Sequence, residues 1–104
     1  MKDKILRKLF LGFIQVHILG HGVKGEFYGS WLIEHLKDHG YNMSPGTIYP
    51  ILHKMEKEGL LVMEERVEEG KKRKYYRSTP LGEEVLMEAR IKARELVKGG
   101  SRDD

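Results

Sequence analysis

The chain has 104 residues, 39% of them hydrophobic and 34% charged, which is enough for one small globular domain and too few for two. It contains no cysteine, which excludes disulfides, thiolate metal sites and cysteine nucleophiles and fits a reducing compartment, so the cytoplasm is the expected location. Nineteen Lys and Arg against sixteen Asp and Glu leave a formal net charge of only +3, so a polyanionic partner has to be argued from where the charges lie.

From Ile5 to Leu19 apolar residues recur at helical spacing, with Leu6, Leu9, Phe10, Phe13 and Ile14 in one wide stripe. The apolar run Leu9–Leu19 is roughly half the ~20 residues a bilayer crossing needs, and Gln15 and His17 interrupt it, so a core or interface helix is expected and no membrane partner. No small-residue cleavage pattern follows, which tells against a signal peptide. The segment "GHGVKGEFYG" holds four glycines in ten residues and predicts a connecting loop. "SWLIEHLKDH" then predicts a short second helix, with Tyr28, Leu32 and Leu36 at i, i+4 and i+8, stopped by Gly40.

The third helix has two signals for its start. Ser44 is a favoured N-cap, Pro45 falls at the first helical position, and Met43 with Ile48 forms a hydrophobic-staple pair. Ile48, Leu52 and Met55 are expected to face inward, and Gly59 to terminate the helix. Pro50 sits inside it, where its ring removes the hydrogen bond to the Gly46 carbonyl.

"LLVMEERV" and "KKRKYYRST" predict a β-hairpin turning at or near Glu69-Gly70. A last helix starts at Thr79 with Pro80 in first position; Leu81, Val85, Ala89, Ala93 and Leu96 line one side. Residues 1–98 are read as one domain and residues 99–104 as a disordered tail. Helix, helix, helix, hairpin, helix, with a tight "GYNM" turn inside the helical pair, is a winged helix-turn-helix layout: mainly α with a small β-hairpin.

The segment "SPGTIYPILHKMEKEGLL" resembles the signature of the PadR-like transcriptional regulators, a Gly-Thr-hydrophobic-Tyr-Pro stretch leading to Leu, a basic residue, Glu and Gly-Leu. "FYGSWLIEHL" is similar to that family's Gly-Tyr-Gly helix start, and "GKKRKYYRSTPLGEEVL" to its wing and the beginning of its last helix. The likeness runs from about Leu6 to Leu96. The wing tip departs from it: many members read Gly-Arg-Pro-Arg-Lys where this chain has Gly70-Lys71-Lys72-Arg73-Lys74. The resemblance implies a dimeric repressor of double-stranded DNA, released by a small hydrophobic or aromatic effector, with the single short last helix of the smaller members.

In a helix-turn-helix the second helix of the pair enters the major groove. That selects Ser44, Pro45, Gly46, Thr47, Tyr49, Pro50, His53 and Lys54 as DNA-binding candidates. Ser44, Thr47 and the first-turn amides suit phosphate oxygens, whereas Tyr49, His53 and Lys54 suit base edges or phosphates. The hairpin adds Lys71, Lys72, Arg73, Lys74 and Tyr75. Against these stand a Tyr49 packed on the hairpin and wing cations consumed in cross-strand pairs with Glu64, Glu65, Glu68 and Glu69. A winged-helix adaptor that binds protein rather than DNA is the competing class; for it, a basic wing beside Thr47, Tyr49 and Lys54 has no purpose.

Gly20, Gly22 and Gly25 satisfy Gly-x-Gly-x-x-Gly, but a helix precedes them where a dinucleotide fold needs a strand. His17 with His21 and His35 with His39 are i, i+4 pairs able to chelate. With no cysteine and no evident third ligand, stabilisation of imidazolium near helix ends is the simpler reading. No catalytic constellation, metal or cofactor is therefore expected. The apolar excess of the first and last helices predicts homodimerisation through them.

Overall fold

The computed structural model describes residues 1–99. Its elements are α1 (Lys2–Lys24), β1 (Phe27–Tyr28), α2 (Gly29–Asp38), α3 (Pro45–Lys57), β2 (Leu61–Glu68), β3 (Lys71–Ser78) and α4 (Pro80–Gly99). The strands form one antiparallel sheet in the order β1-β3-β2. This is the expected winged helix-turn-helix with a third, two-residue strand added at its edge.

Helix ends follow local chemistry. At the end of α2 the Tyr41 amide donates to the Leu36 carbonyl at 2.8 Å and the Gly40 amide to Lys37 at 3.0 Å, with Gly40 at φ +90°. That is the paired closure a left-handed glycine permits. The end of α3 repeats it: Leu60 donates to Met55 at 2.9 Å and Gly59 to Glu56 at 3.0 Å. At the start of α4, Thr79 Oγ1 accepts from the Gly82 amide at 3.0 Å, the N-cap bond expected of a threonine before Pro80. The hairpin turns through Glu69 and Gly70 at φ +51° and +77°, a two-residue connection whose double left-handed backbone matches the strand twist.

The core is one cluster fed by every layer: Ile14, Ile18 and Leu19 from α1, Leu32 and Leu36 from α2, Ile48, Leu52 and Met55 from α3, Phe27, Leu61 and Tyr76 from the sheet, Leu86 from α4. The inward triad of α3 is the expected one, and Met43 packs partly buried against the same cluster.

Two sequence expectations need correction. The "GHGVKGEFYG" segment is not a loop, because α1 continues through Gly20, His21 and Gly22 to Lys24. Gly22 is there for contact: a Cβ on it would stand 2.4 Å from Ser78 Oγ and 2.7 Å from the Ser78 amide nitrogen. The Ser78 hydroxyl donates to the Leu19 carbonyl at 2.8 Å across the same crossing. Close packing of helix on strand thus offsets the roughly 1 kcal/mol that glycine costs inside a helix. Tyr28 belongs to β1, paired with Tyr75, rather than to the second helix. On α4 the residues buried in the chain are Gly82 and Leu86, and the exposed Leu81, Val85, Ala93 and Leu96 are the apolar excess expected to pair with a second copy, so that expectation is not overturned. Gly99 closes α4, so the tail expectation reduces to residues 100–104, outside the described residues.

Candidate nucleic-acid interface

The α3 start is built as the sequence implies. Ser44 has the extended backbone of an N-cap and Pro45 occupies the first helical position. The Ser44 carbonyl accepts from the amides of Thr47 and Ile48 at 2.9 and 3.0 Å. Its hydroxyl lies 3.3 Å from Thr47 Oγ1 rather than capping the backbone. With Pro45 lacking an N–H and the Thr47 and Ile48 amides bonded to Ser44, the Gly46 amide is the one first-turn donor left for another acceptor, with the helix dipole favouring an anion. Ser44, Pro45, Gly46, Pro50, His53 and Lys54 are exposed and Thr47 half-buried. α3 runs unbroken past Pro50, whose missing N–H leaves the Gly46 carbonyl without its usual internal partner.

Sequence reasoning missed Arg7. From α1 its guanidinium donates through Nη2 to Thr47 Oγ1 at 3.3 Å and through Nη1 towards Met43 Sδ at 3.4 Å. A cation therefore stands at the entrance of α3. Nothing in the local sequence marks it, because a basic residue on an apolar helix reads as a solvated position.

Tyr49 rests on α2. Its ring covers Gly29, the first residue of α2, so closely that a Cβ there would come within 2.5–2.8 Å of two ring carbons and the hydroxyl oxygen. Between α3, the start of α2 and the hairpin lies a cavity of about 330 Å³ lined by Tyr49, Tyr28, Gly29, Ser30, Glu65, Lys72, Arg73 and Lys74. The fold thus brings Tyr49, of the α3 candidates, together with Lys72, Arg73 and Lys74 of the wing in one groove, and adds Tyr28, Gly29 and Ser30 to them; the remaining α3 candidates and Lys71 do not line it.

Strand register sorts the wing into two faces. Lys72 and Lys74 alternate onto the face shared with Tyr76; Arg73 and Tyr75 take the other. On that outer face the acids are already occupied. Arg66 donates to both Glu26 carboxylate oxygens at 2.6 and 2.8 Å and to Glu64 at 2.7 Å. The same guanidinium lies 4.4 Å over the Tyr75 ring, and Arg73 lies 4.5 Å over Tyr28. Hydrogen bonding to Arg66 holds the Glu26 carboxyl below its ordinary pKa, and the Arg66 pKa is raised chiefly by its hydrogen bond to Glu26.

The cross-strand pairing that stood as the alternative for Lys71–Lys74 does not form: among the described residues none of the four is in an ion pair. Of the hairpin acids, Glu64 pairs with Arg66 instead. Tyr75, the remaining wing candidate, is half-buried on the outer face. Its hydroxyl donates to the Glu68 carboxylate and its ring is enclosed by Tyr28 and Arg66, away from Lys72 and Lys74.

These features are those of a PadR-type winged helix, and the chain matches the "Transcriptional regulator PadR-like family" over residues 18–88. The chain belongs to that family. It is 44% identical over 93 residues to the transcriptional regulator Rv3488 of Mycobacterium tuberculosis, covering 89% of this chain and 87% of that protein. A PadR-family regulator from Eggerthella lenta superposes with a TM-score of 0.76 at 31% identity, over 94% of this chain and 90% of that one. The Bacillus subtilis PadR, solved in complex with operator DNA, superposes with a TM-score of 0.69 at 26% identity, over 76% of this chain and 46% of its own. The chain is thus a transcriptional regulator of the PadR family, built on that family's winged-helix fold. Among the described residues no helix is long and apolar enough to cross a membrane.

Proposed function

We propose that this regulator is a dimeric cytoplasmic repressor that binds an inverted-repeat site in double-stranded DNA. The first half of α3 enters the major groove and the wing lies on the flanking phosphates. Ser44, Gly46 and Thr47, with Arg7 behind them, take a phosphate at the α3 start. Tyr49, His53 and Lys54 face base edges or the backbone, and Lys71, Lys72, Arg73 and Lys74 neutralise phosphates along the wing. Tyr75 holds Arg66 and Glu68 in place rather than touching DNA.

The single observation that carries this reading is the unpaired wing. The hairpin contains four acids that could have neutralised Lys71–Lys74, yet among the described residues none of them pairs with those cations: Glu64 pairs with Arg66 and Glu68 accepts from the Tyr75 hydroxyl, leaving a basic edge beside α3. The DNA complex of the Bacillus subtilis relative supports the same partner. Dimerisation is supported by apolar surface on the two outer helices. Leu9 and Phe13 of α1 are 52% and 50% exposed, and Met87 and Leu96 of α4 are 58% and 77% exposed, more than isolated side chains need leave in water. Binding an inverted repeat requires the two α3 helices of such a dimer to lie about 34 Å apart, one turn of duplex. A small hydrophobic or aromatic effector would act by altering this spacing.

Titration of labelled DNA from upstream of the gene tests the reading. Affinity should fall steeply with salt, with a logarithmic slope of about 0.9 for each phosphate neutralised. Absence of binding at low salt would favour the protein-adaptor alternative, and a monomeric mass at micromolar concentration in sedimentation would remove the dimer.

A further inference from the structure

The sequence argued against metal binding because each histidine pair lacked a third ligand nearby. The fold supplies it. α1 carries His17 and His21, α2 carries His35 with His39 as its C-cap, and the two pairs face each other across the groove between α1, α2 and α4. Ring centres lie 6.5 Å apart for His17–His21, 4.4 Å for His21–His35, 4.3 Å for His35–His39 and 6.0 Å for His39–His17. We propose that this quartet binds one late first-row divalent cation of the Zn²⁺, Ni²⁺, Cu²⁺ or Co²⁺ class.

The spacing fits such an ion. Four imidazoles bound tetrahedrally at a metal–nitrogen distance of about 2.0–2.1 Å put their ring centres roughly 5 Å apart, inside the range the quartet spans. One ring is already set for coordination: His39 Nδ1 lies 3.0 Å from the His35 carbonyl oxygen. A carbonyl can only accept, so Nδ1 carries the hydrogen and the Nε2 lone pair remains for a ligand, the arrangement that orients metal-bound histidines. The donor set then selects the metal. Neither Asp nor Glu lines the groove, which disfavours Mg²⁺ and Ca²⁺, whereas imidazole nitrogen suits the late transition ions. Lys24 and Arg90 on the rim repel any cation held by charge alone, so coordination has to hold it.

Among the described residues no three His, Cys, Asp or Glu side chains already close on one point. Closure requires rotation of the rings about χ2, a broad and soft torsion for histidine. The groove, about 490 Å³ and open to solvent, leaves room for that. Aromatic packing accounts for part of the cluster, since Trp31 stacks on His35 at 4.8 Å and Tyr41 meets His17 edge-on at 5.4 Å. Packing has no use for a nitrogen at all four positions.

The test uses the full chain without a polyhistidine tag. One equivalent of Co²⁺ should produce the intense visible bands of a four-coordinate ion, Zn²⁺ should abolish them by displacement, and Mg²⁺ should leave them unchanged. His35→Gln, and separately His17→Gln with His39→Gln, should weaken Zn²⁺ binding by about 100-fold, with folding followed by circular dichroism. A Co²⁺ spectrum that stays octahedral and weak overturns the site without recourse to any variant. So does Zn²⁺ affinity in folded variants within about three-fold of the parent.

Discussion

The Tyr49 ring of α3 lies directly on the backbone of Gly29 at the start of α2, with no room between them for a methyl group. The contact sets how α3 leans on α2 and holds Tyr49 at the edge of the groove it shares with the wing. Gly29→Ala must push the ring away, at a cost of about 1–3 kcal/mol in stability. Urea denaturation should show that Gly29→Ala combined with Tyr49→Ala costs less than the sum of the two single changes, since the clash disappears with the ring. Strict additivity would mean that the contact does not position α3.

The wing cations lack carboxylate partners, so their removal should separate stability from binding. Lys72→Ala with Lys74→Ala should change unfolding free energy by less than about 0.5 kcal/mol per site. The logarithmic salt slope for DNA binding should become shallower by about one unit per lysine removed. Fluorescence anisotropy at several salt concentrations reads this directly; an unchanged slope would take the wing off the phosphates.

Glu69 has φ +51° without being glycine, a conformation asparagine tolerates better at this turn position. Glu69→Asn should stabilise the hairpin by about 0.5–1 kcal/mol, read as a raised denaturation midpoint at unchanged slope.

Glu26 is tied to Arg66, and its pKa is lowered for that reason first. A depressed carboxylate contributes stability that is fully present above its unfolded-state pKa of about 4.5 and is lost as pH falls through the folded value. Glu26→Gln should therefore melt below the parent at neutral pH, with the gap closing in acid beneath that range. A gap that persisted at low pH would assign the effect to packing rather than charge.

Pro50 removes one internal hydrogen bond from α3, so Pro50→Ala should stabilise the helix by up to about 3 kcal/mol. If the proline helps aim the first turn of α3 at phosphate, DNA affinity should fall in the same variant. Unchanged affinity with higher stability would dismiss that role.

Much of the architecture was legible in the residues. The boundaries of α3, the two-residue hairpin turn and the start of α4 rest on caps, prolines and left-handed glycines, whose physics acts within four or five residues. The inward triad Ile48, Leu52 and Met55 rests on helical period alone. Other features depended on segments distant in sequence. The glycines after Leu19 read as a loop because flexibility and close contact call for the same residue, and only the approach of Ser78 distinguishes them. The pairing of Glu26 with Arg66 spans forty residues. Arg7 reaches Thr47 over the same separation. The meeting of two histidine pairs depends on how α1 lies across α2, a relationship that no local pattern in either helix encodes. Sequence by itself determined the elements, their ends and the family pattern, because those are short-range preferences. Tertiary structure decided which cations remain unpaired and which imidazoles share a groove, because partners are chosen by proximity in space.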